Sequence, residues 1–309
     1  MRVSIGNECI LNEMTTTYGH SRYTGLYALA AVTNDLAAAG GEEISVSARI
    51  EMPDYTFKSR LHAIQNELEE VCEIHNIRLE EISTARHAAI NLPEVTVTGI
   101  SRAPREEAWC RDTGRAGWDI ILTGWIGMEG MLRILDEKEQ ELKQRFAPAF
   151  INQIRSYRQE LFAVRAISVA KAGGSSAIRQ VTEGGIMAAL WNLAKEAETG
   201  LELDLKKLSI LQETIEVCEH YRINPYQLAS TGCLLIVTDH GEVLADELKR
   251  NDIQASVIGK MTDDNDKKLH NGDEVRYIDR PAPDEIFKIY GGIEHGQVKG
   301  TDTEIHGEE

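Results

Sequence analysis

Three junctions in the chain carry residue types that chemistry uses. Thr182-Glu183-Gly184-Gly185 leads into the helical stretch IMAALWNLAKEA. Small residues there let an anion approach the free N–H groups of a helix start, where the helix dipole also favours negative charge. Gly124-x-x-Gly127-x-x-Gly130 follows an apolar strand, and Asn34-Asp35 is a polar pair inside an Ala-rich segment. Glycines at strand-to-helix turns serve backbone geometry more often than a ligand. The Gly124 series lacks the G-x-G-x-x-G spacing of a dinucleotide site and the acid at the end of the next strand. His87, His220 and His240 have no metal-ligand spacing. Ser83 and Ser168 lack the turn that exposes a nucleophile, and Cys233 opens an apolar strand, where a buried thiol is expected.

The elements that must hold these residues follow from periodicity. Thr24 to Ala39 reads as a helix stopped by Gly40-Gly41. Ile44–Ile50 alternates like a half-buried strand. A helix follows from about Asp54, with Leu61, Ile64, Leu68, Val71 and Cys72 on one stripe. Ile77–Ile82 and Val95–Ile100 are strand-like. The polar stretch Pro104 to Gly117 is the expected domain boundary, giving units at 1–105 and 117–292. In the second unit a strand at Trp118–Thr123 runs into a long charged helix. Helices are expected at Pro148–Lys171, Gly184–Glu198, Leu211–Tyr221 and Val243–Asn251, with strands at Leu201–Leu205, Cys233–Asp239 and Ala255–Met261. Strands alternating with helices make the fold class α/β (α+β). Residues 293–309 read as a flexible tail.

Composition narrows the function classes. With 33 basic against 50 acidic residues and no basic block, a nucleic-acid role is not expected. No run approaches the ~20 apolar residues of a membrane span, and the opening MRVSIGNECILNEM lacks a signal-peptide pattern. The five cysteines form no C-x-x-C pair. A reduced, cytoplasmic protein without membrane attachment is expected.

In order, VTNDLAAAGG (32–41), WDIILTGWIG (118–127), QVTEGGIMAALWNLAKEAETGLELDL (180–205) and INPYQLASTGCLLIV (223–237) resemble the AIR synthase-related proteins, and within them the hydrogenase-maturation HypE-like branch. The resemblance runs nearly continuously from Trp118 to Tyr290 and is patchier over the first hundred residues. It implies a two-domain PurM-like architecture, with an N-terminal sheet that pairs in a homodimer and a larger α/β domain. ATP would lie in the cleft between the domains, and the implied chemistry is phosphoryl transfer with magnesium held by clustered Asp side chains. A hard cation needs several oxygen ligands, and a transferring phosphoryl group needs its charge neutralised.

Carried over position by position, Asn34, Asp35, Thr182, Glu183, Gly184 and Gly185 are the implied nucleotide-binding residues, and Asp35 is the implied magnesium ligand. Elsewhere the chain departs. Thr17 stands where relatives have an Asp, and Glu81-Ile82-Ser83-Thr84 replaces a Gly-Gly-acid loop. Gln180 replaces the Asp before V-T-E-G-G, and Ser230-Thr231-Gly232 replaces Asn-Glu-Gly. The chain closes on His306-Gly-Glu-Glu309 instead of the cysteine that carries HypE's carbamoyl group, so that route is not expected. Two readings follow. One is an ATP-dependent enzyme with an altered site, acting on a small molecule or a protein. The other is a catalytically inactive homodimer of the same fold. Arg86 and His87 are expected to be exposed loop residues, the phosphate-contacting reading being the less favoured.

Overall fold

The computed structural model describes residues 2–104 and 114–291. The first unit contains β1 (Arg2–Ile5), β2 (Glu8–Tyr18), α1 (Thr24–Ala38), β3 (Glu42–Pro53), α2 (Lys58–Ile74), β4 (Arg78–His87) and β5 (Glu94–Pro104). The sheet order is β1-β2-β5-β3-β4. β3 and β4 pair in parallel, as the crossover through α2 requires, and the other pairs are antiparallel. α1 is buried along almost its whole length, because its small residues allow close packing against the sheet. At Gly99 of β5 a Cβ would stand 2.4 Å from Val32 Cγ1 and 2.7 Å from Leu36 Cδ1, so only glycine lets the helix approach this far.

The second unit runs through β6 (Asp119–Thr123), α3 (Met128–Arg145), α4 (Pro148–Ser156), α5 (Val164–Ala172), β7 (Ala177–Val181), α6 (Gly185–Ala197), β8 (Gly200–Asp204) and α7 (Gln212–Tyr221). It continues with β9 (Cys233–Thr238), α8 (Gly241–Arg250), β10 (Ala255–Thr262), β11 (Lys267–Asn271) and β12 (Glu274–Tyr277). The sheet order is β12-β11-β8-β10-β6-β9-β7. β9 shows why an unbroken apolar run is needed. Cys233, Leu235 and Val237 enter the core under α6, while Leu234 and Ile236 enter the core under α5 and α8. A strand covered on both faces has no place for a polar residue. Ala37 and Ala38 of α1 join that last core, and a larger core draws on both units, from Leu11 and Val32 to Met131 and Ile154.

The structure departs from the sequence expectation in its helices and its strands. Pro148–Lys171 is not one helix: α4 gives way to a 3-10 turn at Tyr157–Leu161, Phe162 is extended, and α5 starts afresh. The break frees the Leu161 carbonyl and the Ala163 N–H, and both are met by the side chain of Asn34. Strands β1, β2, β7, β11 and β12 are also not expected from the sequence, β2 and β7 being the two that border the cleft between the units. Both are short of clean alternation: β2 leaves Met14 66% exposed, and β7 places Arg179 and Gln180 in succession, Gln180 reaching across to α1. The expected tail at 293–309 and Cys110 lie outside the described residues.

Candidate functional site

Where the units meet, a cleft of about 420 Å³ collects residues far apart in sequence. β2 contributes Thr15, Thr16, Thr17 and Tyr18, and α1 contributes Tyr27, Ala31 and Asp35. α3 supplies Glu129 and Arg133, and Thr182, Glu183 and Thr231 join them, with Met14 and Ala229 as apolar members of the lining. The cleft is therefore a polar surface with three carboxylates and one guanidinium, in which the hydroxyls of Thr16, Thr17 and Tyr27 are already bonded to Thr96, the Thr24 carbonyl and Asp136.

Asp35, Thr182 and Glu183 meet in this cleft. Asp35 accepts a hydrogen bond from Gln180 Nε2 at 3.0 Å. Burial, then the nearby charge of Glu13, pushes its carboxyl up to about 7, with the Gln180 amide pulling the other way. Asn34 has a different task. It is fully buried, donating to the Leu161 carbonyl at 2.8 Å and to Gln180 Oε1 at 2.7 Å, and accepting from the Ala163 N–H at 2.8 Å. It pins α1 to the second unit behind the cleft.

The glycine pair is occupied by the protein itself. Gly184 has φ +80° and its N–H donates to Asp284 Oδ2 at 2.7 Å. Asp284 also accepts from the Ile286 N–H at 2.8 Å, and burial pushes its carboxyl up to about 6. The anion expected at this helix start is thus a side chain of the chain. A Cβ on Gly185 would stand 2.7 Å from both the Leu228 nitrogen and the Tyr226 carbonyl, so close backbone packing fixes that residue. Gly124, Gly127 and Gly130 are likewise packed against loop 225–233.

Two cleft residues escaped the sequence reading. Glu129 and Arg133 lie one helical turn apart in the apolar run Met128–Leu135, a charged pair where the helix is buried, and that placement was the available signal. Arg133 Nη1 bonds Glu129 Oε1 at 3.1 Å, Nη2 bonds the Tyr18 carbonyl at 3.4 Å, and Nε bonds the Tyr290 hydroxyl at 3.4 Å. Glu129 Oε2 accepts from the Thr231 N–H at 3.1 Å. Thr17 is buried and donates to the Thr24 carbonyl at 2.5 Å. Arg86 and His87 lie on the edge strand β4, bonded to the Asp54 carbonyl and paired with Glu51, outside the cleft.

The polar lining and the volume suit the sugar portion of a nucleotide, and with three carboxylates against one guanidinium that Glu129 already pairs, phosphate charge would need a cation brought with the ligand. The donor set does not fit a protein-held magnesium ion. Asp35 already receives the Gln180 amide, Glu129 is taken by Arg133 and Thr231, and among the described residues no three His, Cys, Asp or Glu side chains are grouped to hold a metal.

The comparisons with known proteins agree with this architecture. The chain is 26% identical over 223 residues to the carbamoyl dehydratase HypE of Rhodobacter capsulatus, covering 72% of this chain and 63% of that protein. The aligned region thus spans under two thirds of that relative. The fold matches the crystal structure of HypE from E. coli with a TM-score of 0.70 at 18% identity, over 91% of this chain and 88% of that one. A second HypE structure, solved in complex with ATP, matches with a TM-score of 0.67 at 15% identity, over 89% and 87% of the two chains. Among the described residues no helix is long and apolar enough to cross a membrane. The model of the AIR synthase related protein C-terminal domain matches residues 115–271, just over half of the sequence, and the chain belongs to the AIR synthase-related family.

Proposed function

We propose that the cleft binds a nucleotide, with ATP as the form that family membership implies, and that the protein responds to it by binding more than by turnover. The observation that carries this reading is the convergence of Thr15–Thr17, Tyr27, Asp35, Thr182 and Thr231 from both units on one polar cleft. The side chains of Thr15, Thr182 and Thr231 would face phosphate and ribose oxygens, and because Arg133 is paired with Glu129 the phosphate charge would be met by the cation that accompanies the nucleotide. Magnesium enters this reading only as the counter-ion that a nucleotide brings with it.

Phosphoryl transfer on an unidentified small molecule or protein is the second reading, and one observation favours it. Asp35 faces the cleft with a carboxyl that titrates at about 7, the range in which a general base is best poised to take a proton from an attacking group. We also propose the homodimer that the family resemblance implies, formed through the open face of the first sheet, where Met14 and Ile100 stand 66% and 49% exposed.

Thermal unfolding with and without ATP, magnesium and chelator tests the primary reading. A ligand that binds only the folded state adds about 2.7 kcal/mol at one hundred times its Kd, an easily measured rise in Tm. No shift at millimolar ATP in either metal condition removes the reading. Phosphate release above background that disappears in Asp35→Asn selects transfer over binding, and light scattering in solution tests the dimer.

A further inference from the structure

We propose that a second cleft binds a small phosphate-bearing anion at a site separate from the nucleotide cleft. This cleft, about 570 Å³, is walled by the loop between β2 and α1, the first turn of α2, and α3, α4 and the 3-10 turn of the second unit. Arg22, Arg60, Arg155 and Arg158 line it, against two carboxylates, Asp136 and Glu139. That balance inverts the chain as a whole, which carries 33 basic and 50 acidic residues. It shares no lining residue with the first cleft.

The four guanidinium groups are unequally engaged. Arg155 is tied to Glu139 and to Asn152 Oδ1, the latter at 2.8 Å. Arg158 pairs with Asp136 and lies 3.8 Å over the Tyr23 ring, but its Nε is buried with no hydrogen-bond partner. Arg22 bonds the Tyr23 hydroxyl at 2.7 Å and stands 3.4 Å from Glu67. Arg60 donates to the His20 carbonyl, and among the described residues no carboxylate pairs with it.

The start of α2 points the same way. Its first turn holds no acidic residue and no side chain caps it, and it reads Lys58-Ser59-Arg60. The Arg60 N–H is bonded to the Phe57 carbonyl at 3.1 Å, and because cations at a helix start oppose the dipole, an anion there is stabilised by the remaining first-turn dipole and by the guanidinium groups together. Phosphate oxygens match the planar fork of arginine in a way that a single carboxylate of the chain does not exhaust. Phe57, 82% exposed and lining the same cleft, offers an apolar surface for the organic part of a phosphate ester.

Calorimetric titration of the full chain with pyrophosphate, at neutral pH, with chelator and with chloride matching the ionic strength, tests the site. Expected is a saturable equivalent whose affinity falls by at least about tenfold in Arg60→Ala and in Arg22→Ala, the loss of one charge-assisted hydrogen bond. Arg60→Lys should fall between, because it keeps the charge and loses the fork. Thr182→Val, in the first cleft, should retain this equivalent. The proposal is overturned by the absence of saturation, by wild-type affinity in a folded Arg60→Ala, or by loss in Thr182→Val with retention in Arg60→Ala. Arg60 and Arg22 are surface side chains, and unchanged thermal midpoints in both variants establish that any loss is local.

Discussion

Replacing Asn34 by Ala removes three hydrogen bonds from a position with no solvent exposure. The Ala163 N–H, the Leu161 carbonyl and Gln180 Oε1 all lose a partner, and the helix break between α4 and α5 gives the two backbone groups no regular alternative. A buried group left unsatisfied costs about 1–3 kcal/mol. Gln180 can turn, so two fully orphaned groups give roughly 2–6 kcal/mol, a large share of the about 5–15 kcal/mol that stabilises a folded domain. The loss falls on the joint between the units. Trp118, Trp125 and Trp191 lie in the second unit, so in a Trp109→Phe background tryptophan fluorescence follows that unit while far-ultraviolet circular dichroism follows both. In urea, Asn34→Ala should unfold at a clearly lower midpoint, with the two signals separating as the units uncouple. A midpoint change equivalent to under about 0.5 kcal/mol, the range of an ordinary surface substitution, refutes the reasoning, and coincident transitions refute the uncoupling.

Further outcomes follow from the same geometry. Asp35 titrates at about 7 in the folded chain and near 3.9 when unfolded. Between those values the folded state holds more protons, so this contribution to stability is full at low pH and is lost as pH rises to about 7. Asp35→Asn should therefore raise stability at neutral pH by about 2–4 kcal/mol, at roughly 1.4 kcal/mol per unit, and flatten the pH dependence of the urea midpoint. Gly185→Ala places a Cβ against two backbone atoms at a residue with φ +64°, and should cost more than about 2 kcal/mol by thermal unfolding. Glu129→Gln leaves Arg133 buried without its carboxylate and should destabilise by about 3–5 kcal/mol, whereas replacing both by Leu and Met should cost much less. Cys72 and Cys218 are buried with thiols pushed up to about 11 and about 12, so thiol reagents should label them only when urea opens the fold.

The fold was legible wherever one period dominated. The stripe Ile64, Leu68, Val71, Cys72 placed α2, and the run from Cys233 placed β9 with its double cover. β2 was not legible because its residues face the core, the cleft and an open sheet face in turn, which mixes threonines with Met14 and Leu11. The break after α4 was hidden for a related reason: nothing local stops the helix, and the partner that makes the break tolerable, Asn34, is over a hundred residues away. The site divides in the same way. Asp35, Thr182 and Glu183 were placed together by resemblance, and they meet in the cleft. Asn34 and Gly184 have the residue types of ligand-binding positions, yet their hydrogen bonds are spent on Leu161, Ala163 and Asp284. No sequence pattern announces a partner supplied by tertiary contact.

Tyr290 bears on motion. Its hydroxyl donates to the Tyr18 carbonyl at 2.9 Å, at the last residue of β2, and receives Arg133 Nε from α3. Asp284, six residues earlier on the same segment, holds the start of α6. One short stretch of chain therefore latches the floor of the cleft to both of its walls. A substitution such as Tyr290→Phe removes one hydroxyl that holds both walls at once, so it should loosen the joint between β2 and α3 while leaving the cleft lining itself unchanged.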